Sequence, residues 1–416
     1  MTSSLSRIGS ANTYDNAVRN ISMRQSALSN LQENLTSGKR VVRASDDPTS
    51  AANAERALNR ISRIATDQRA LEAQRNAIAM AESTLGDVTN SLQRFRELVV
   101  SAGNGVHSNA ERKSIAIELQ GLRDQIFASA NQKDTNGLPL FSALGSALAP
   151  FVGPQATPPD YTFNGLPGQA ASSDVAIPFT LDGDAAFMHQ PARDGVYNTS
   201  VSTIPSGRTL TTDGVTVTNA SAVTGASYLI AITNVDTTTT PGTTVVSYDV
   251  TTTPPGSTAA QVAPGYPSAQ SASIAVAGMA GLALTFNGTP AVGDTLTVAP
   301  SPSIFSVLDN AIKDIKEAPN NNGATQAVGQ ALHNIDIGMS RISAVRGQAG
   351  DLLNRADRIT GNQESRNIQL EADRSRAEDL DMVKGISDFN NQQTGYSAAL
   401  QTYAKVQQLS LFNFIG

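Results

Sequence analysis

The feature that most constrains this chain is a heptad. From Ala57 onward an apolar residue recurs at every seventh position, through Ile64, Leu71, Ile78, Leu85, Leu92 and Val99, while Ile61, Ala81, Val88, Phe95 and Ala102 widen the stripe. A seven-residue repeat keeps one seam on one side of an α-helix, so the segment reads as a long coiled-coil-type helix broken in composition only at Gly86. A lone helix draws too little stability from its backbone to persist in water and needs partners for its apolar face. The flanks supply them. Ahead of it lie Tyr14, Ile21, Leu28, Leu31 and Leu35; behind it, after a capping box at Ser108 and Glu111, come Ile115, Leu119, Leu122 and Ile126. Near the C-terminus, Ile304, Leu308, Ile312 and Ile315 mark a short helix, and Val328, Ile335, Ile342, Leu352 and Ile359 a long one. Met382, Ile386, Phe389, Tyr396, Leu400 and Tyr403 mark the last.

The segment "LTSGKRVVRASDDPTSAANAERAL", Leu35 to Leu58, joins the first stripe to the second. Gly38-Lys39 is no phosphate loop, because Glu33 stands where its first glycine belongs and Arg40 where its Ser or Thr belongs. Gly38 reads as the residue just past a helix end, followed by basic side chains at the negative pole of the dipole. Asp46 and Asp47 are sequence neighbours, which seldom lets two carboxylates face one gap as acid–base work requires. Asp47 reads as an N-cap and Pro48 as the first helical residue, where a missing N–H costs nothing.

Between Ser142 and Pro302 the composition changes. That stretch has no Lys and no Glu, nine Asp, two Arg (Arg193 and Arg208) and 16 of the 19 prolines. "GRTLTTDGVTVTN", "SYLIAITNV", "TTVVSYDVTTT" and "LALTFNG…GDTLTVAP" alternate β-branched and polar residues between turn residues, the pattern of an antiparallel domain. The predicted class is α+β: long terminal helices in a coiled-coil and bundle arrangement with a mostly-β insert. The expected divisions are 1–45 and 365–416 for the terminal coiled coil, 46–141 and 303–364 for the bundle, and 142–302 for the insert.

Chemistry finds few footholds. There is no Cys, and the three histidines (His107, His189, His333) fall in three regions with no second ligand at i+3 or i+4. "DGDAAF" at Asp182–Phe187 lacks the twelve-residue calcium pattern. No catalytic site, cofactor or metal is expected, so the chain reads as no enzyme. A net charge of −6 argues against a nucleic-acid surface. No run of 18 apolar residues suggests a membrane span, and the first thirty residues lack the apolar core of an ordinary secretory signal.

"LTSGKRVVRASDDPTSAANA", "LQRFRELVVSAGNGVHSNAERKSIAIELQGLRDQI" and "NGLPLFS" resemble the N-terminal half of bacterial flagellins and their hook-associated relatives. "ISAVRGQAGDLLNR" and "AEDLDM" resemble the C-terminal half. Within that family, "GDTLTVAPSPSIFSVLD" and the ending "QQTGYSAALQTYAKVQQLSLFNFIG" look more like the hook-associated junction branch than filament flagellin, whose Leu-Leu-Arg-like tail is absent. The resemblance implies a structural part of the bacterial flagellum that joins hook to filament by coiled-coil self-assembly. It implies no cleaved signal, type III export to an extracellular position, and a chaperone on the C-terminal helix. The implied partners are copies of itself in a ring or helical assembly, a neighbouring hook-associated protein and flagellin. Filament flagellin, and more remotely an adhesin using the insert, are the competing readings.

The apolar stripes then divide into two expected roles. Ile64, Leu71, Ile78, Leu85, Leu92, Val99, Ile335, Ile342 and Leu352 are expected in the bundle core. Ile21, Leu28, Leu31, Leu35, Ile386, Phe389, Tyr396, Leu400 and Tyr403 are expected at the assembly interface. The middle helices can cover one another, but the two ends have only each other, so they are expected to be weakly ordered until subunits assemble.

Overall fold

A computed structural model describes the backbone of residues 3–157, 159–206 and 208–415, with side chains described except at 3–11, 13 and 406–415. The chain is α+β, as its patterning predicts. Among the described residues there are eight α-helices: α1 (Ser3–Ser37), α2 (Pro48–Ala102), α3 (Asn109–Ala130), the short α4 (Gly183–Phe187) and α5 (Pro191–Asp194), then α6 (Ile304–Glu317), α7 (Asn321–Glu378) and α8 (Met382–Ile415). The chain divides into two compact units. One comprises residues 1–69 and 360–416, the other residues 70–359.

The larger unit has two cores. In the first, the α2 seam residues Leu71, Ile78, Leu85, Leu92 and Val99 are buried with Leu119 and Ile126 of α3 and Ile335 and Ile342 of α7. Leu352 packs half-buried against them. Ser108 caps α3 as predicted, its hydroxyl accepting from the Glu111 amide while the Glu111 carboxylate accepts from the Ser108 amide at 2.7 Å. Ile64 is half-buried and belongs to the smaller unit, not to this core.

The expected 142–302 block divides between the two cores. Its first part joins the helices through aromatic rings: Phe305 of α6 lies within 5.1–5.7 Å, centroid to centroid, of Phe127, Tyr161, Phe151 and Phe187. The short strands β1 (Phe151–Val152) and β2 (Thr162–Phe163) pair antiparallel and hold Phe151 and Phe163 in this cluster. Rings meeting edge to face gain beyond their buried area, which explains why a chain with few aromatics concentrates them here.

The second core is the β domain proper. Its main sheet is antiparallel, ordered β3 (Tyr197–Ser202), β13 (Thr295–Pro300), β6 (Ser227–Asp236), β7 (Thr243–Thr253) and β8 (Ser257–Val262), with β9 (Tyr266–Pro267) also pairing β7. A second sheet orders β10 (Ala272–Ala275), β12 (Thr285–Gly288) and β4 (Leu210–Thr212), while β11 (Leu282–Ala283) pairs β5 (Thr216–Val217). Along β7, Thr244, Val246, Tyr248 and Val250 are buried and the residues between them are not, the period-two signature of a strand with one covered face.

Side chains of α7 fasten this domain along the β3 edge and the nearby loops. Gln330 and Asn334 each donate at 2.9 Å to the Tyr197 carbonyl. Gln330 also accepts from Thr199 at 2.6 Å, Gln326 accepts from the Thr212 amide at 2.8 Å, and His333 Nε2 donates to the Val215 carbonyl at 3.2 Å. Residues 326, 330, 333 and 334 share one face of a helix, and they satisfy backbone groups that a covered sheet edge would otherwise leave unpaired. Both insert arginines are spent internally: Arg208 on the fully buried Asp294 at 3.1 Å, Arg193 on Asp194 at 2.7 Å.

Two titratable groups sit where insert and helices meet. Burial pushes Asp314 of α6 up to about 6, with Lys313 opposing and Glu317 adding to the rise. Burial pulls His189 down to about 4. A carboxyl raised in the folded state contributes stability at low pH that is lost as pH rises through about 6; a depressed histidine contributes stability above 6.5 that is lost as pH falls through about 4. Asp314→Asn should therefore raise the unfolding temperature of the larger unit above pH 6 and leave it little changed at pH 4, measured by calorimetry across that range. Equal effects at both pH values would exclude this account of Asp314.

Candidate assembly surface

The smaller unit is built on two connectors that bond to each other. α1 ends at Gly38, whose φ of +70° turns the chain left-handed at no steric cost. Here the Leu380 amide donates to the Gly38 carbonyl at 2.9 Å, and the Arg40 and Val41 amides donate to the Glu378 carbonyl at 2.7 and 3.3 Å. Lys39 forms an ion pair with Glu378, and Arg40 donates to the Ala377 carbonyl at 2.8 Å. The link between α1 and α2 is thereby stitched to the link between α7 and α8.

Asp47 is the N-cap that its position before Pro48 predicts. Its Oδ1 accepts from the Ser50 amide at 3.1 Å and from the Thr49 hydroxyl at 2.7 Å, and Arg40 reaches its Oδ2 at 3.2 Å. Hydrogen bonds from Ser50, then Thr49 and Arg40, hold this carboxyl well below the usual carboxylate range. Asp46 acts on the spacer instead, where its Oδ2 accepts from the Arg43 amide at 2.8 Å and closes a turn. The two adjacent carboxylates thus serve two turns of backbone. Asp381 repeats the capping role for α8, accepting from the Val383 and Lys384 amides at 3.1 and 3.2 Å.

α1 and α8 run antiparallel. A Cβ on Gly385 would come within 3.2 Å of Leu35, one on Gly395 within 2.7 Å of Arg24, and Tyr14 and Tyr403 meet at 5.7 Å between ring centroids. Gly385 is buried, and an added Cβ would also press to 2.8 Å on Leu380, so its lack of a side chain lets the two helices close on the connectors.

The predicted interface residues separate into two groups. Ile21, Leu28, Leu31 and Leu35 of α1 and Phe389, Tyr396 and Tyr403 of α8 are half-buried within the pair. Ile386 and Leu400 are 50% and 41% exposed, and Val383 is 82% exposed. On α8, residues 389, 396 and 403 share one heptad position and 386 and 400 another about 50° round the helix, so one apolar stripe faces α1 and a second flanks it with part of its surface exposed. On α1, Tyr14, Val18 and Met23 are also exposed. Among the described residues this helix pair therefore leaves apolar side chains exposed beside its seam, which makes it a candidate association surface.

Sequence reasoning missed the stitching of the connectors. Its one signal was "GKR", basic residues placed directly after a helix end. Among the described residues no cluster of His, Asp and Glu is arranged to hold a metal, and no helix is long and apolar enough to cross a membrane.

Comparison with known proteins matches both ends. The profile described as "Bacterial flagellin N-terminal helical region" matches residues 8–145, and "Bacterial flagellin C-terminal helical region" matches 332–415; together they take in more than half of the chain. The chain is 36% identical over 148 residues to flagellar hook-associated protein 3 of Salmonella typhimurium, covering 35% of this chain and 46% of that protein. It is 36% identical over 127 residues to the flagellar filament 41 kDa core protein of Borreliella burgdorferi, covering 30% of this chain and 38% of that protein. The matched part thus spans less than half of either curated relative. The crystal structure of the flagellar junction protein FlgL from Legionella pneumophila superposes with a TM-score of 0.56 at 26% identity, covering 73% of this chain and 98% of that one.

Replacing Asp47 by Ala should speed amide exchange at Ser50 and Ala51 roughly tenfold, the scale of a lost N-cap, while Pro48→Ala leaves both nearly unchanged. If Asp47→Ala left exchange untouched yet stopped the chain from associating, the carboxylate would be an intersubunit contact and not a cap.

Proposed function

This chain belongs to the bacterial flagellin family, and on that footing we propose that it is a structural subunit of the flagellum, set at the junction where hook meets filament. The observation that carries the reading is the α1–α8 pair: a two-helix seam flanked by partly exposed apolar side chains, suited to being covered by neighbouring copies. The junction position is favoured over the filament by two likenesses. One is to the Legionella junction protein over nearly all of its length, the other to a hook-associated protein. The likeness to a filament core protein keeps filament flagellin as the second reading.

In this reading the residues act by packing and not by chemistry. Asp46, Asp47 and Pro48 set the connector. Ile21, Leu28, Leu31, Leu35, Phe389, Tyr396 and Tyr403 hold the terminal pair together, and Ile386 and Leu400 meet adjacent subunits. The β domain rides outside as a passenger clamped to α7. Export without a cleaved leader and a chaperone shielding the stretch after Phe389, whose one charge is Lys405, belong to the same proposal.

Deleting the gene should leave hooks that lack filaments, with monomeric flagellin shed into the medium. Long filaments on normal hooks in the deletion strain would remove the junction reading, and growth of long filaments from the purified chain alone would favour the filament one.

A further inference from the structure

In the smaller unit α2 carries arginines at 56, 60 and 63, spaced i, i+4 and i+7 so that they form one stripe. All three are exposed. Like charges at this spacing weaken a helix, and among the described residues no ion pair offsets them. Arg56 touches the Asn53 side chain at 3.3 Å, and Arg60 has no carboxylate partner among the described residues. Arg56 and Arg60 line a cleft of about 480 Å³ whose far wall is the end of α7, with Leu370, Asp373, Arg376 and Ala377. Asp373 is already held by Arg376, so the cleft is cationic, with Ala57, Leu370 and Ala377 as apolar floor.

The matching stripe lies on α7 itself. Glu364, Ile368 and Glu371 repeat the same i, i+4, i+7 spacing with opposite charge and an isoleucine between. Ile368 is 71% exposed, Glu364 has no ionic partner among the described residues, and Glu371, itself exposed, pairs with the half-buried Arg374 3.0 Å away. At 100° per residue, Ile368 points about 160° away from Leu370 on the cleft wall. One unit therefore presents a cationic cleft on one side of α7 and an acidic–apolar ridge on the other.

We propose that these two surfaces mate between copies of the chain, the ridge Glu364–Ile368–Glu371 of one copy entering the cleft lined by Arg56 and Arg60 of the next, with Arg63 beside it on the same helix stripe. Two different patches on one unit give a head-to-tail contact, the kind that propagates into a ring or a helix and does not stop at a dimer. The charges set register and order of approach, while Ile368 on the apolar floor supplies the dry centre of the contact. This inference rests on the chain assembling with itself, as proposed above, and assigns the lateral contact to specific residues.

The absence of cysteine makes the test direct. Chains carrying Arg60→Cys and chains carrying Glu364→Cys are co-expressed in motile cells, and isolated flagella are oxidised. Incorporation of either variant into flagella tests the assembly reading separately. Within incorporated protein, the expected product is a disulfide-linked dimer joining position 60 of one copy to position 364 of another, from mixed and not from single-variant flagella. Dimers joining 60 to 60 or 364 to 364, or no dimers in fully assembled material, would overturn the contact. As a second measurement, Arg56→Glu with Arg60→Glu should lower incorporation about tenfold, and adding Glu364→Arg and Glu371→Arg should restore it. Incorporation unchanged by the first pair would equally overturn it.

Discussion

The ends of this chain depend on two connectors meeting. Lys39 and Glu378 are 339 positions apart, yet the segments around them exchange backbone hydrogen bonds and an ion pair. Those bonds satisfy amides and carbonyls left open where α1, α7 and α8 begin or end, which no isolated helix can do for itself. They also fix where α1 and α8 start relative to each other. From that anchor the antiparallel register follows, from Leu35 beside Gly385 out to Tyr14 beside Tyr403. The connectors bring the two ends together and leave apolar side chains such as Ile386 and Leu400 partly exposed.

The insert is fastened by a different physics. Aromatic rings seat its first part in the helical core, while α7 amides and His333 hold the β domain by the edge strand β3 and nearby loops. Hydrophobic burial gives the first attachment its strength. Hydrogen bonds to edge-strand carbonyls give the second its orientation and close that edge to stray strands. A domain with almost no cationic side chains of its own is thus held without relying on surface ion pairs, which contribute little.

Much of this was legible in the residues. The heptad from Ala57 to Val99 marked α2 because burial against other helices repeats every seven residues, and six of its seven positions are buried. Gly38, Asp47-Pro48 and Ser108-Glu111 marked helix ends because their chemistry is local. The β strands were legible where alternation was strong, as in β6, β7 and β13. What stayed hidden was non-local. Nothing in the order of residues tells that Arg40 reaches Ala377, or that Gln330 and Asn334 seek Tyr197. Nor did composition show that residues up to Val196 would join the helical core: low charge and many prolines made 142–302 look uniform, whereas a few phenylalanines decided its first part. The interface residues shared this limit, since heptad spacing identified apolar positions on α8 without showing that Ile386 and Leu400 stay about half exposed beside the stripe that meets α1.

The central claim is that the terminal helices are completed by neighbouring copies. Hydrogen exchange on the isolated chain and on the same chain within flagella tests it most directly. The account predicts fast exchange in α1 and α8 of the isolated chain, slow exchange in α2 from Leu71 onward, and strong protection of all three after assembly. Strong protection of α1 and α8 in the isolated chain, equal to that of the bundle, would contradict it.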